Sequence, residues 1–147
     1  MKLTTRWEGT YSYDPIPELP STFVDTAFVL NIRRGWFGKF SGEIRDSEPG
    51  IQEPASIKGW ATLNRVRFTK TYPSFWISGE GGKLTRVPNL DPYVLHYDGR
   101  LDGDEGCQRI EGTWYIPPQH IQIGGQWFEM PQTTGTWIAN SSAQNAK

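Results

Sequence analysis

A single cysteine, Cys107, stands in the whole chain, so no intramolecular disulfide can staple the fold. One lone thiol fits a reducing compartment, and a cytoplasmic location is the expectation. No apolar run approaches the roughly 20 residues that a membrane helix needs. The opening MKLTTRWEGTYSYD lacks an apolar core, so no secretory signal and no membrane partner are expected. Charge of one sign is missing too, with 15 Lys and Arg against 16 Asp and Glu. A nucleic-acid-binding domain usually shows a basic excess or stripe. None is apparent, so no nucleic-acid partner is expected.

Catalytic and metal signatures are equally sparse. His96 and His120 are the only histidines, and their spacing matches no ligand set, so no metal is expected. Cys107 has no base close to it in sequence, which argues against a nucleophilic thiol. The acidic turn LDGDEG (101–106) lacks the ligand order of a calcium loop and reads as an Asp–Gly hairpin turn. There is no Ser-His-Asp order, phosphate-cradling loop or dinucleotide fingerprint, so neither a catalytic residue nor a cofactor is assigned. No stretch of a dozen residues carries a helical period.

What the chain does have is aromatics, glycine and proline: seven Trp, six Tyr, seven Phe, 16 Gly and 11 Pro. That mixture disfavours helices and suits half-buried pleated surfaces broken by turns. Period-two alternation predicts eight strands, at 4–13, 24–33, 36–46, 56–63, 65–72, 93–101, 108–116 and 126–139, with a short extra strand at 75–77. The expected inner faces carry Trp7, Gly9, Tyr11 and Tyr13; Thr26, Phe28, Leu30 and Ile32; Trp36, Gly38, Phe40, Gly42 and Ile44; and Ile57, Gly59, Ala61 and Leu63. On the later strands they carry Val66, Phe68, Lys70 and Tyr72; Tyr93, Leu95, Tyr97, Gly99 and Leu101; and Ile110, Gly112, Trp114 and Ile116. The proline-rich DPIPELPST reads as an irregular connection, and NSSAQNAK as a frayed polar tail.

A glycine recurs mid-strand on those faces: Phe40-x-Gly42-x-Ile44 and Ile57-x-Gly59-x-Ala61 return as Tyr97-x-Gly99-x-Leu101 and Ile110-x-Gly112-x-Trp114. Glycine weakens a strand unless the strand must bend or another group comes close. A small barrel asks for both. The fold class is therefore all-β, an antiparallel up-and-down eight-stranded barrel with no substantial helix. A two-sheet sandwich is the alternative. A single domain spans 1–139, with a tail at 140–147.

WEGTY in the first strand, the run Val66-x-Phe68-x-Lys70-x-Tyr72, Ile110-x-Gly112-x-Trp114 and the closing GTW resemble the lipocalin-like, or calycin, barrels over roughly residues 4 to 138. The resemblance implies an interior that holds a small apolar or aromatic molecule. Trp7, Tyr11, Phe28, Trp36, Phe40, Phe68, Tyr72, Tyr97 and Trp114 then either fill the barrel as core or line an aromatic pocket. Lys70 shares a face with Val66, Phe68 and Tyr72. It either snorkels to water at the barrel mouth or is buried and paired, free to anchor a ligand carboxylate or phenolate beside Tyr72 and Tyr97. The leading expectation is a small-molecule-binding protein. A barrel enzyme of isomerase, cyclase or decarboxylase type is one alternative, with Glu129 as the acid to test. A filled barrel recognising a partner through Phe75 and Trp76 is the other. The segment 73–92 reads as a lid or as a merely mobile loop, and the oligomeric state stays open.

Overall fold

The computed structural model describes residues 5–14, 25–48, 50–78, 84–104 and 107–141. The proline-rich connection at 15–24, the glycine-rich tip at 79–83, the tip of the Asp–Gly turn at 105–106 and the tail at 142–147 lie outside them. Twelve strands and no helix are present among the described residues: β1 (Arg6–Tyr13), β2 (Thr26–Arg34), β3 (Lys39–Asp46), β4 (Ala55–Ala61), β5 (Arg65–Thr71), β6 (Phe75–Ser78), β7 (Leu84–Val87), β8 (Val94–Asp104), β9 (Cys107–Ile116), β10 (Gln119–Ile123), β11 (Gln126–Met130) and β12 (Thr133–Ser141).

Eight of them close a barrel in the order β1-β12-β9-β8-β5-β4-β3-β2, every neighbouring pair antiparallel. Closure pairs both sides of every barrel strand, so this sheet has no open edge. β6–β7 and β10–β11 form two separate hairpins. The short β2–β3, β4–β5 and β8–β9 connections sit at one end, the tight-turn end. The long connections, with both extra hairpins, sit at the other, the loop end.

Alternation sets the inside. Thr26, Phe28, Leu30 and Ile32 of β2 are buried, as are Val66, Phe68 and Lys70 of β5, and Leu95, Tyr97 and Leu101 of β8. Phe68 stacks on Tyr97 with ring centroids 4.7 Å apart, and Trp137 meets both edge-on at 5.5 and 5.4 Å. The central glycines make that packing possible. Gly99 stands opposite Gly112, and a Cβ on Gly99 would lie 2.6 Å from Ile110 Cγ2 and 2.8 Å from Trp137 Cζ2. The missing side chain gives the Trp137 indole its place, where Nε1 donates to the Asp98 carbonyl at 3.1 Å.

Expectation fails at strand ends. Trp36 is not on an inner face: it is 82% exposed, because β3 begins at Lys39 and Trp36 belongs to the β2–β3 turn. Lys39 N–H donates to the Trp36 carbonyl at 3.0 Å. Phe37 and Gly38 between them both take positive φ, 56° and 80°, which is the two-residue hairpin turn that strand twist favours. The left-handed region costs a non-glycine residue about 1–2 kcal/mol. Leu63 likewise falls in the β4–β5 turn and is exposed. The region at 126–139, counted as one strand interrupted by Pro131, is two: Pro131 has no N–H for a ladder, so β11 ends before it and pairs with β10, while β12 closes the barrel.

Candidate functional site

Asp46 ends β3 on the parity of Phe40 and Ile44, and its side chain therefore points inward. Lys70 on β5 lies between Ile57 and Leu95 in the neighbouring strands. It is fully buried rather than snorkelling, and its Nζ sits 3.3 Å from Asp46 Oδ1 and 3.4 Å from Oδ2. Tyr11 from β1 donates to Asp46 Oδ2 at 3.1 Å, and Tyr72, just past β5, donates to the same oxygen. Three strands thus deliver one carboxylate, one ammonium and two phenols to a single buried point near the loop end.

The ammonium has more protons than the one carboxylate can take. Ring faces supply the rest: Nζ lies 4.9 Å from the Tyr11 centroid, 4.7 Å from Tyr72 and 5.7 Å from Tyr97. A desolvated ammonium over aromatic faces gains from their quadrupoles. No buried side-chain nitrogen or oxygen among the described residues lacks a hydrogen-bond partner.

Burial decides the proton equilibria. It pushes the Lys70 ammonium below its ordinary pKa, with Asp46 opposing that shift. It pushes the Tyr11 phenol far up, helped by the Asp46 charge. Tyr72 and Tyr97 are raised well above the ordinary value by burial first and then by the neighbouring Tyr11 and Asp46. The phenols therefore stay protonated at neutral pH and act as donors, not bases.

Above this cluster the β6–β7 hairpin is tied down. Trp76 Nε1 donates to Glu53 Oε1 at 2.9 Å, Ser74 Oγ approaches Glu53 Oε2 at 3.3 Å, and Tyr93 OH donates to the Trp76 carbonyl at 3.0 Å. Phe75 is buried edge-on against Tyr93 at 5.1 Å. Phe75 and Trp76 thus pack inward and do not form the exposed recognition patch of the filled-barrel alternative; Trp76 packs against the core.

Of the residues expected at the site, Tyr11, Phe28, Lys70, Tyr72, Tyr97 and Trp114 come together. Tyr11 reaches Phe28 at 6.2 Å and Trp114 at 6.0 Å, and Tyr97 lies 6.3 Å from Trp114. Phe68 forms the floor by stacking on Tyr97, with Phe40 behind it at 6.2 Å. Trp7, opposite Leu30 and Ser141, is buried at the tight-turn end. Glu129 is exposed on β11 and faces His120 at 3.9 Å, away from any inward tyrosine. Asp46 was the residue sequence reasoning missed. Its signal was there: the parity of Phe40, Gly42 and Ile44 carried one step further, and an inward lysine needing a counter-charge.

Among solved structures the chain is similar to shwanavidin. A low-affinity mutant of that protein superimposes with a TM-score of 0.50 at 15% identity, covering 97% of this chain and 98% of that one. The fold is a closed eight-stranded antiparallel barrel. The apo form of shwanavidin gives a TM-score of 0.48 at 13% identity, covering 93% of this chain and 97% of that one. No protein-family model and no curated protein sequence matches. In this barrel the polar cluster lies toward the loop end, and the apolar centre and tight-turn end lie beneath it.

Proposed function

We propose that the barrel binds a small, mainly apolar or aromatic molecule at its loop end, with one polar group directed at Lys70, Tyr11 and Tyr72. The observation that carries this is the buried Asp46–Lys70 pair with its two tyrosines. Well-packed apolar residues in the place of a buried ion pair are often as stabilising or more so, so the pair is not explained by stability alone. The caged Lys70 ammonium is a donor suited to a carboxylate or phenolate oxygen, the phenol oxygens whose protons go to Asp46 can accept beside it, and Trp114, Phe28 and Tyr97 offer ring faces next to them. The likeness to shwanavidin, whose mutant is described by its lowered affinity, supports binding inside such a barrel.

The same cluster bears on the enzyme alternative. An inward acid within reach of a tyrosine is present, as Asp46 with Tyr11 and Tyr72. Phenols held protonated well above neutral pH are poor general bases, however, and this favours binding over catalysis.

Native mass spectrometry of the chain recovered from cells tests the reading, followed by a thermal-shift screen of aromatic acids, phenols and their uncharged analogues. A co-purified mass, or stabilisation by the acids over their uncharged analogues, is expected. A ligand-free mass with no stabilisation by any compound would sink the proposal.

A further inference from the structure

The β2–β3 turn at the tight-turn end has no role in the site described. Its sequence, Arg33-Arg34-Gly35-Trp36-Phe37-Gly38-Lys39, places two adjacent aromatics between two arginines and a lysine. Trp36 is 82% and Phe37 97% exposed, the two largest exposures among the large hydrophobic residues described. Leu63, in the neighbouring β4–β5 turn, is 71% exposed. All residues from Arg33 to Lys39 are exposed, and none of the three cations makes an ion pair among the described residues.

The turn is held rigidly. Gly35 N–H donates to the Lys39 carbonyl and Ala61 N–H to the Gly38 carbonyl, both at 2.8 Å. Phe37 occupies a positive-φ position where glycine or asparagine is the relaxed choice. An aromatic held there, strained and in water, adds nothing to folding. Between this turn and the next lies a recess of about 580 Å³ whose lining includes Arg34, Lys39, Phe40, Leu63 and Leu101, so cations and apolar surface share one concavity.

We infer that the β2–β3 turn is a peripheral docking tip for anionic lipid surfaces. Trp36 and Phe37 enter the headgroup layer, and Arg33, Arg34 and Lys39 face its negative charge. Tryptophan concentrates at the membrane–water boundary, and basic residues are drawn to an anionic leaflet. The aromatic tip and basic flank together fit a surface that is anionic outside and apolar beneath. A second copy meeting through the same turn would bring like charges together. A bare polyanion would have no use for Trp36 and Phe37. The described acids of the β8–β9 turn, Asp102 and Asp104, belong to β8, which β4 and β5 separate from β3, so contact is through the β2–β3 side of the mouth. No helix among the described residues is long and apolar enough to span a bilayer. The absence of a membrane partner expected from sequence rested on spanning segments and signals, whereas this contact lies on the surface.

The test is co-sedimentation of the full chain with phosphatidylcholine vesicles, with and without phosphatidylglycerol, beside a single-stranded RNA arm and a sedimentation-velocity arm without lipid. Binding is expected only to the anionic vesicles, and it should weaken in high salt. Neutralising Arg33, Arg34 and Lys39 together to Gln should weaken it on the order of a hundredfold, about fivefold for each charge. Trp36→Ser with Phe37→Ser should abolish it while leaving the thermal midpoint unlowered, since both side chains lie in solvent. Equal binding to both vesicle types would overturn the proposal. So would anionic binding that survives the Trp36/Phe37 substitutions, RNA binding of equal strength, or self-association through the turn in place of lipid binding.

Discussion

Replacing Asp46 by Asn removes the charge from the centre of the buried cluster while nearly preserving its shape. Asp46 faces Lys70 Nζ at 3.3 and 3.4 Å and accepts from Tyr11 and Tyr72. An amide keeps one carbonyl oxygen for a tyrosine, so what is lost is chiefly the counter-charge to a fully buried ammonium. Breaking a buried pair from one side costs about 3–5 kcal/mol. Against a typical total of about 5–15 kcal/mol, that is a large share of the stability. At about 3 °C per kcal/mol for a chain near this length, the melting point should fall by about 10 °C or more. The double variant Asp46→Asn with Lys70→Met removes both charges, keeps an acceptor for the phenols and should regain at least half of the loss.

The pH dependence supplies a second handle on the same variant. Burial already lowers the Lys70 pKa, and Asp46 is the group opposing that shift, so in D46N it falls further. The unfolded chain then binds a proton that the folded chain does not, and stability must rise with pH. The slope is at most about 1.4 kcal/mol per pH unit, ending as lysine titrates in the unfolded chain at about pH 10.4. Urea unfolding of wild type, D46N and the double variant between about pH 6.5 and 9 measures both effects at once. The exposed Arg65–Asp98 pair, at 2.6 Å, is the internal control: D98N should cost less than about 1 kcal/mol, as surface pairs do. If D46N cost no more than D98N and showed no extra pH slope, the view of a charged, desolvated cluster would be wrong.

Alkaline titration reports on the phenols. Tyr11, Tyr72 and Tyr97 have folded pKa values above their unfolded ones, so the stability they contribute is fully present below about pH 10 and lost above it. Phenolate absorbance at these residues should therefore rise together with loss of the strand signal in circular dichroism. Early phenolate formation at Tyr11, Tyr72 and Tyr97 in an intact barrel would contradict that. Gly99→Val should destabilise by about 3 kcal/mol or more, because its side chain would enter the space of Ile110 and Trp137. Urea midpoints decide it, and a loss below about 1 kcal/mol would mean the barrel does not need that glycine.

Much of the barrel was legible because one face of every barrel strand is buried, and burial forces a period of two on the residues. That is why Thr26 through Ile32, Val66 through Lys70 and Leu95 through Leu101 fell on the expected side. Alternation carries no information where a strand stops. Trp36 and Leu63 continue the pattern in sequence, yet the backbone has turned by then and they stand in water. The β10–β11 hairpin was hidden for a different reason. Its alternation is weak, but Gly124-Gly125, at φ 59° and 79°, is a two-residue hairpin turn visible in the letters. For the site, parity pointed Lys70 inward but could not say whether it reached water at the mouth. The deciding fact is a contact between residues 24 positions apart, Asp46 with Lys70, that only the closed barrel creates.

The central claim is that Lys70 and its tyrosines receive a ligand's polar group at the loop end. Calorimetric titration of a captured acidic ligand into wild type and Lys70→Met tests it most directly, since Asp46 keeps Tyr11 and Tyr72 as donors in that variant. A charged hydrogen bond contributes about 1.5–3 kcal/mol, so affinity should fall by about tenfold to a hundredfold while the variant stays folded. Unchanged affinity in a folded Lys70→Met protein would place the ligand elsewhere and contradict the account.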